Sequence, residues 1–86
     1  MASVTYDHET IADKAVAALR AAFPNSAVET ERGFEGRVHV RIMSPSFDGK
    51  RETTKQALVW DVLHAALGPE AEAVSLVLVY GMDELP

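Results

Sequence analysis

Six of the chain's eight positive residues, Arg32, Arg37, Arg41, Lys50, Arg51 and Lys55, fall between positions 32 and 55. Only Glu35, Asp48 and Glu52 oppose them there, so the segment carries +3 while the remainder carries −8, for a net −5. Guanidinium and ammonium groups grouped in this way recognise phosphate or carboxylate through charge-assisted hydrogen bonds. The plainer reading is a solvated strand pair and loop with ordinary surface charge. The acidic total works against a general affinity for nucleic acid, because phosphate binding relies on lysine and arginine.

Other candidate chemistry is sparse. His8, His39 and His64 are scattered, no pair has the i, i+4 spacing of a helical zinc site, and the chain has no cysteine. They read as a cap neighbour, a strand residue facing solvent and a helix surface residue. His39 is the one most open to a role, since it alternates with Arg37 and Arg41. Gly33-Phe34-Glu35-Gly36 has the Gly-x-x-Gly form of a nucleic-acid backbone clamp. In that clamp the motif joins two helices; here it separates two strand-like runs and holds an acid that repels phosphate, so a hairpin turn is expected. Asp48 and Glu52 straddle Gly49-Lys50, and helix-capping charges are their simpler role. Trp60 and Phe47 are expected to pack inward, Phe47 as an anchor of its loop. The chain has no nucleophile elbow, phosphate loop or dinucleotide fingerprint, and its length leaves little room for a water-excluding pocket. The expectation is no enzyme, no cofactor and no metal site.

The elements that must position these residues follow from periodicity. From Asp7 to Phe23 the apolar residues Ile11, Ala15, Leu19 and Phe23 recur every four positions behind an Asp7 cap, and Pro24-Asn25 ends the helix. Ala27 to Arg32 reads as a strand. Arg37 to Met43 reads as a second, with Val38, Val40 and Ile42 on one face and Arg37, His39 and Arg41 on the other. Ser44 to Lys50 is a loop punctuated by Pro45 and Gly49. A second helix is expected from Thr53 or Thr54, with Thr53 and Gln56 as a capping box and Val59, Val62, Leu63 and Ala66 as its buried stripe. Gly68-Pro69 stops it. Val74 to Tyr80 is apolar throughout and reads as an interior strand or one covered on both sides. The order α-β-β-α-β, with a right-handed crossover, gives an α+β fold. It is a three-stranded mixed sheet whose last strand runs parallel to the second, with both helices on one face and Arg37, His39 and Arg41 on the other.

Eighty-six residues fit one domain, here 1–86, with residues 1–6 and 81–86 expected as loose tails. Forty-eight per cent apolar residues suits a globular chain. The lack of cysteine excludes a disulfide scaffold and fits the cytoplasm. No targeting leader is expected at the N-terminus, and no apolar run approaches the ~20 residues of a membrane helix.

The stretch Val38-His39-Val40-Arg41-Ile42-Met43-Ser44-Pro45-Ser46-Phe47-Asp48-Gly49-Lys50 resembles the second strand and following loop of BolA-like proteins, in which alternating valines precede Ser, two free positions, Phe, one free position, Gly and Lys. The register continues into Lys55-Gln56-Ala57-Leu58-Val59-Trp60 and Leu63, where that family has Arg-His-Arg, an apolar residue, Val, an aromatic and Leu. The resemblance spans about Ile11 to Tyr80 and implies a KH-like fold and a role in transcription or stress response through nucleic-acid binding. It places the binding edge at Phe47, Gly49, Lys50, Arg51 and Lys55, beside Arg37, His39 and Arg41. The family's Ile-His-Ala-Leu signature falls on Ala73-Val74-Ser75-Leu76, so the histidine implicated in ligating an iron–sulfur cluster shared with a monothiol glutaredoxin becomes Val74. Valine cannot ligate iron, so cluster binding is not expected.

Two functions stand at this point. One is a BolA-like regulator touching nucleic acid through residues 37–55. The other is a protein-interaction adaptor, with a glutaredoxin-like or other partner, using the same surface without a cluster. A monomer or weak homodimer is expected, since an edge strand leaves self-pairing open.

Overall fold

A computed structural model describes residues 6–84. Its elements are α1 (His8–Ala22), β1 (Ala27–Arg32), β2 (Val38–Met43), α2 (Glu52–Leu67) and β3 (Val74–Tyr80). Short 3-10 turns lie at Phe34–Gly36, Pro45–Phe47, Gly68–Ala73 and Met82–Glu84. The order is the expected α-β-β-α-β. The sheet is β1-β2-β3, with β1 antiparallel and β3 parallel to β2.

Helix α1 begins where Asp7 accepts hydrogen bonds from the amide and hydroxyl of Thr10. Those bonds, the hydroxyl's foremost, hold the Asp7 carboxyl below its ordinary range. The helix buries Ile11, Ala12, Ala15 and Leu19. The chain leaves it through Asn25, whose φ of 60° continues no helix. The hairpin between β1 and β2 turns at Glu35 and Gly36, both with positive φ. Gly36 is needed there, because a Cβ would collide with the Tyr6 carbonyl oxygen.

One core holds the fold together. Val38, Val40 and Ile42 of β2 and Val77 and Val79 of β3 meet Leu19 of α1 and Val59 and Leu63 of α2, all at most 6% exposed. Each such side chain contributes roughly 1.5–3 kcal/mol by leaving water. Both helices cover the same sheet face.

Five details differ from the sequence reading. Helix α2 starts at Glu52, capped by Arg51 with no side-chain hydrogen bond. The Thr53–Gln56 capping box does not form, because Gln56 turns its amide to the Val77 carbonyl instead. The buried stripe of α2 is Lys55, Val59, Leu63 and Leu67, while Ala66 is exposed. A strict four-residue spacing starts from Lys55, which charge alone argues against placing inside. Strand β3 is an edge strand with one open face: Leu76 is 44% and Leu78 39% exposed. The register irregularity beside Val38 and His39 sets one extra residue of β3 against β2, so Val74 faces the core and Leu76 faces out. Finally, residues 81–84 of the expected C-terminal tail are docked on the loop before α2. Of the expected N-terminal tail, residues 1–5 lie outside the described residues, and the Tyr6 amide donates to the Glu35 carbonyl.

Candidate interaction surfaces

The face of the sheet away from the helices is a pattern of rows. Glu31, His39 and Leu76 stand side by side across β1, β2 and β3; Glu29, Arg41 and Leu78 form the next row; Ala27, Met43 and Tyr80 the third. Over the first two rows the face therefore has an acidic column of Glu31 and Glu29, a column of His39 and Arg41, and an apolar column of Leu76 and Leu78. They line a shallow groove of about 310 Å³. Within it the Arg41 Nε and Nη2 donate to one Glu29 carboxylate oxygen at 3.0 and 2.5 Å. The hydrogen bond to Glu29 raises the Arg41 pKa above its already high value. Both groups remain about half exposed, so water screens the pair. His39 is half-buried, with its ring against Gly33.

Arg37, the third basic residue assigned to this face, sits at its end. Its guanidinium lies 5.5 Å from the Tyr6 ring centroid and donates to the Glu72 carbonyl. His8 approaches the Arg37 carbonyl at 3.2 Å.

In the second candidate edge, residues 47–55, Phe47 packs inward as its reading as a loop anchor expects, while the contact edge that the resemblance implies loses both Phe47 and Lys55. Phe47 is fully buried, its ring centroid 4.8 Å from that of Phe23. It anchors the loop and is not a surface contact, because the turn at Pro45–Phe47 rolls its side chain inward. Ser44, also buried, fixes that turn by accepting from the Ser46 amide and donating to the Pro24 carbonyl. Lys55 is 3% exposed, with its Nζ 2.6 Å from Glu84 Oε1 and 3.6 Å from Glu52 Oε1. It is a buried, paired cation and not a free one. The hydrogen bond to Glu84 raises the Lys55 pKa, while the Gly81 amide first and Lys55 second hold the Glu84 carboxyl below its ordinary range. Asp48 accepts from the amides of Met82 and Asp83, and Asp83 accepts from the Gly49 amide at 2.9 Å. Asp48 thus holds the C-terminal turn and does not cap α2. Lys50 and Arg51 stay exposed and form no ion pair among the described residues.

Of the eight residues singled out from sequence, the structure gathers His39 and Arg41 on the open sheet face, with Arg37 at its border. Gly49, Lys50 and Arg51 form a separate small edge, and Phe47 and Lys55 go inside. Leu76, Leu78, Glu29 and Glu31 were missed. The signal for the acids was available, since Glu29 and Glu31 alternate in β1 opposite Arg41 and His39. The leucines gave none, because the bulge sets their direction.

The donor set does not suit an iron–sulfur cluster. Val74, at the signature position, is buried at the start of β3. The three histidines sit on separate elements, and among the described residues no group of three or more His, Cys, Asp or Glu side chains converges to hold a metal. No described helix is long and apolar enough to cross a membrane.

Comparison with family models gives no match, and neither does comparison with curated proteins. Among solved structures the chain is similar to BolA1 from Arabidopsis thaliana. The TM-score is 0.73 at 18% identity, over 88% of this chain and 96% of that one. At that identity the likeness establishes the fold alone: the chain has a BolA-like α+β fold, as the strand-and-loop resemblance implied.

Proposed function

We propose that this domain, with its BolA-like fold, is a divergent BolA-like regulatory protein. In this reading it works in the cytoplasm by binding another protein, without catalysis and without ligating a cluster. One observation carries the choice of partner. Three of the six positive charges that made nucleic acid attractive are engaged within the chain: Arg41 by Glu29, Lys55 by Glu84 and Glu52, and Arg37 by Tyr6 and the Glu72 carbonyl. Counterion release, the main source of affinity for nucleic acid, needs free cations. What remains uncovered is the open sheet face, with two leucines, a histidine and two carboxylates around a groove. Exposed apolar side chains rimmed by polar ones suit a protein partner. A glutaredoxin-like protein is the partner class that the family resemblance suggests.

A second reading has its own support. Lys50 and Arg51 are exposed beside an α2 N-terminus that no side chain caps, an arrangement that favours phosphate. Asp48, Glu52, Asp83 and Glu84 stand around the same edge and weaken it.

The test has two arms. Fluorescent single- and double-stranded DNA is titrated with the protein at 50 and 200 mM salt, as wild type and as the Lys50→Ala, Arg51→Ala variant. Nuclease-treated copurification from the native host is run with wild type and His39→Glu. The expected result is no saturable DNA binding, and a stoichiometric protein partner that His39→Glu loses. Salt-sensitive DNA binding abolished by the double substitution would replace this proposal with the second reading.

A further inference from the structure

The two edges of the sheet are unequal. The outer edge at β1 carries Glu29, Glu31 and Arg32, charges of the kind that discourage strand addition. The outer edge at β3 is Val-Ser-Leu-Val-Leu-Val-Tyr, seven residues with no charge and no proline. No described strand pairs with it. We propose that a second copy of this chain pairs antiparallel along this edge, joining two sheets into one of six strands in a weak, two-fold symmetric homodimer. This proposal stands apart from the partner reading above.

The geometry follows from which groups point outward. The Ser44 amide donates to the Tyr80 carbonyl, so Tyr80 faces β2. Backbone groups alternate along a strand, so Leu78 also faces β2, while Val77 and Val79 present their N–H and C=O to the free side. Gln56 confirms that direction: its Nε2 reaches around from α2 and donates to the Val77 carbonyl at 2.9 Å. A two-fold axis at Val77 lets the two Val77 residues exchange a pair of hydrogen bonds and sets Ser75 against Val79. On the open face the same register places Leu76 directly opposite Leu78 of the second copy, twice. Those four leucines are the large apolar side chains that β3 leaves exposed, and directly opposed apolar pairs are the stabilising unit of a sheet. The strand is self-complementary because its sequence is nearly symmetric about Val77, and its lack of charge lets two chains of net −5 approach there.

Gln56 acts as a guard on this edge. It competes for the Val77 carbonyl and is itself held by Trp60, whose Nε1 donates to Gln56 Oε1 at 3.2 Å. Because Gln56 lies on the helix side, it bears on edge pairing but not on packing of one open face against another.

Sedimentation equilibrium from about 10 μM to 1 mM tests the proposal with wild type, Leu78→Lys and Gln56→Ala, each checked by circular dichroism. Wild type is expected to rise from 9.3 kDa toward twice that mass. Leu78→Lys should weaken the dimer at least about tenfold, as lysine blunts natural edges. Gln56→Ala should tighten it by about threefold or more, the worth of one freed hydrogen bond at each copy. Hydrogen exchange at the Val77 and Val79 amides should slow as concentration rises, a readout that needs no variant. A wild type that stays monomeric at 1 mM overturns the proposal. So does a dimer indifferent to Gln56→Ala with Val77 exchange independent of concentration, since that dimer uses another surface.

Discussion

Replacing Phe47 by alanine separates an anchor from a contact residue. Its ring is fully buried against Phe23, and its backbone closes two turns, donating to the Ser44 carbonyl and accepting from the Lys50 amide. Phe→Ala in a core costs about 3–5 kcal/mol, the lost transfer energy plus a cavity that rigid neighbours do not fill. A chain of this length has roughly 4–13 kcal/mol in total. The substitution therefore removes a large part of the stability. At a urea m-value of about 1–1.5 kcal/mol/M, a loss of about 3–4 kcal/mol moves the midpoint down by roughly 2–4 M. The melting temperature should fall by roughly 12–32 °C. Far-UV circular dichroism in urea measures the shift, with Phe47→Leu expected to keep more than half of the loss from occurring. Lys50→Ala with Arg51→Ala, on the same loop but exposed, should stay within about 0.5 kcal/mol per site. A cooperative Phe47→Ala transition displaced by less than about 1 kcal/mol would refute the inward placement of the ring.

Gly36→Ala should destabilise by about 2 kcal/mol or more, since positive φ and the Tyr6 carbonyl both oppose a side chain. Gly49→Ala faces open space and should cost only about 1 kcal/mol for its φ of +70°; equal losses in urea melts would contradict the contact at Gly36. The Lys55–Glu84 clasp makes stability depend on pH at both ends. Glu84 titrates below its ordinary value of 4.5, so its contribution is complete above that pH and is lost as the pH falls through the folded value. Lys55 titrates above 10.5, so its contribution is complete below that pH and is lost as the pH rises through the folded value. Glu84→Gln should flatten the acid limb of a melting-temperature profile and leave the share due to Asp7, whose pKa is also lowered; an unchanged limb would show the clasp idle. Mixed anaerobically with a cluster-loaded monothiol glutaredoxin, the chain should leave the visible spectrum as it is for glutaredoxin alone. New absorption from a shared cluster would reverse the conclusion drawn from Val74.

The fold was largely legible because local signals agreed with one another. Ile11, Ala15 and Leu19 mark α1, the alternation from Val38 to Ile42 marks β2, and the positive φ of Gly68 ends α2 where glycine and proline stood in sequence. The site was less legible because its decisive features are non-local. Lys55 is buried only because Glu84, distant in sequence, is brought to meet it. The apolar run of β3 looks interior to a reader of composition, yet a single bulged residue turns Leu76 and Leu78 to the outside. Gln56, three residues after Thr53, matched a capping box by spacing, and tertiary structure offered it the Val77 carbonyl instead.

The central claim is that a partner protein lands on the open sheet face and not on the loop before α2. Amide hydrogen exchange of the copurified complex, against the free chain at a concentration where it is monomeric, tests this most directly. The account predicts slowed exchange in β2 and β3, between positions 38–43 and 76–80, with 48–54 unchanged. Protection confined to 48–54, or a footprint that nuclease treatment erases, would contradict it.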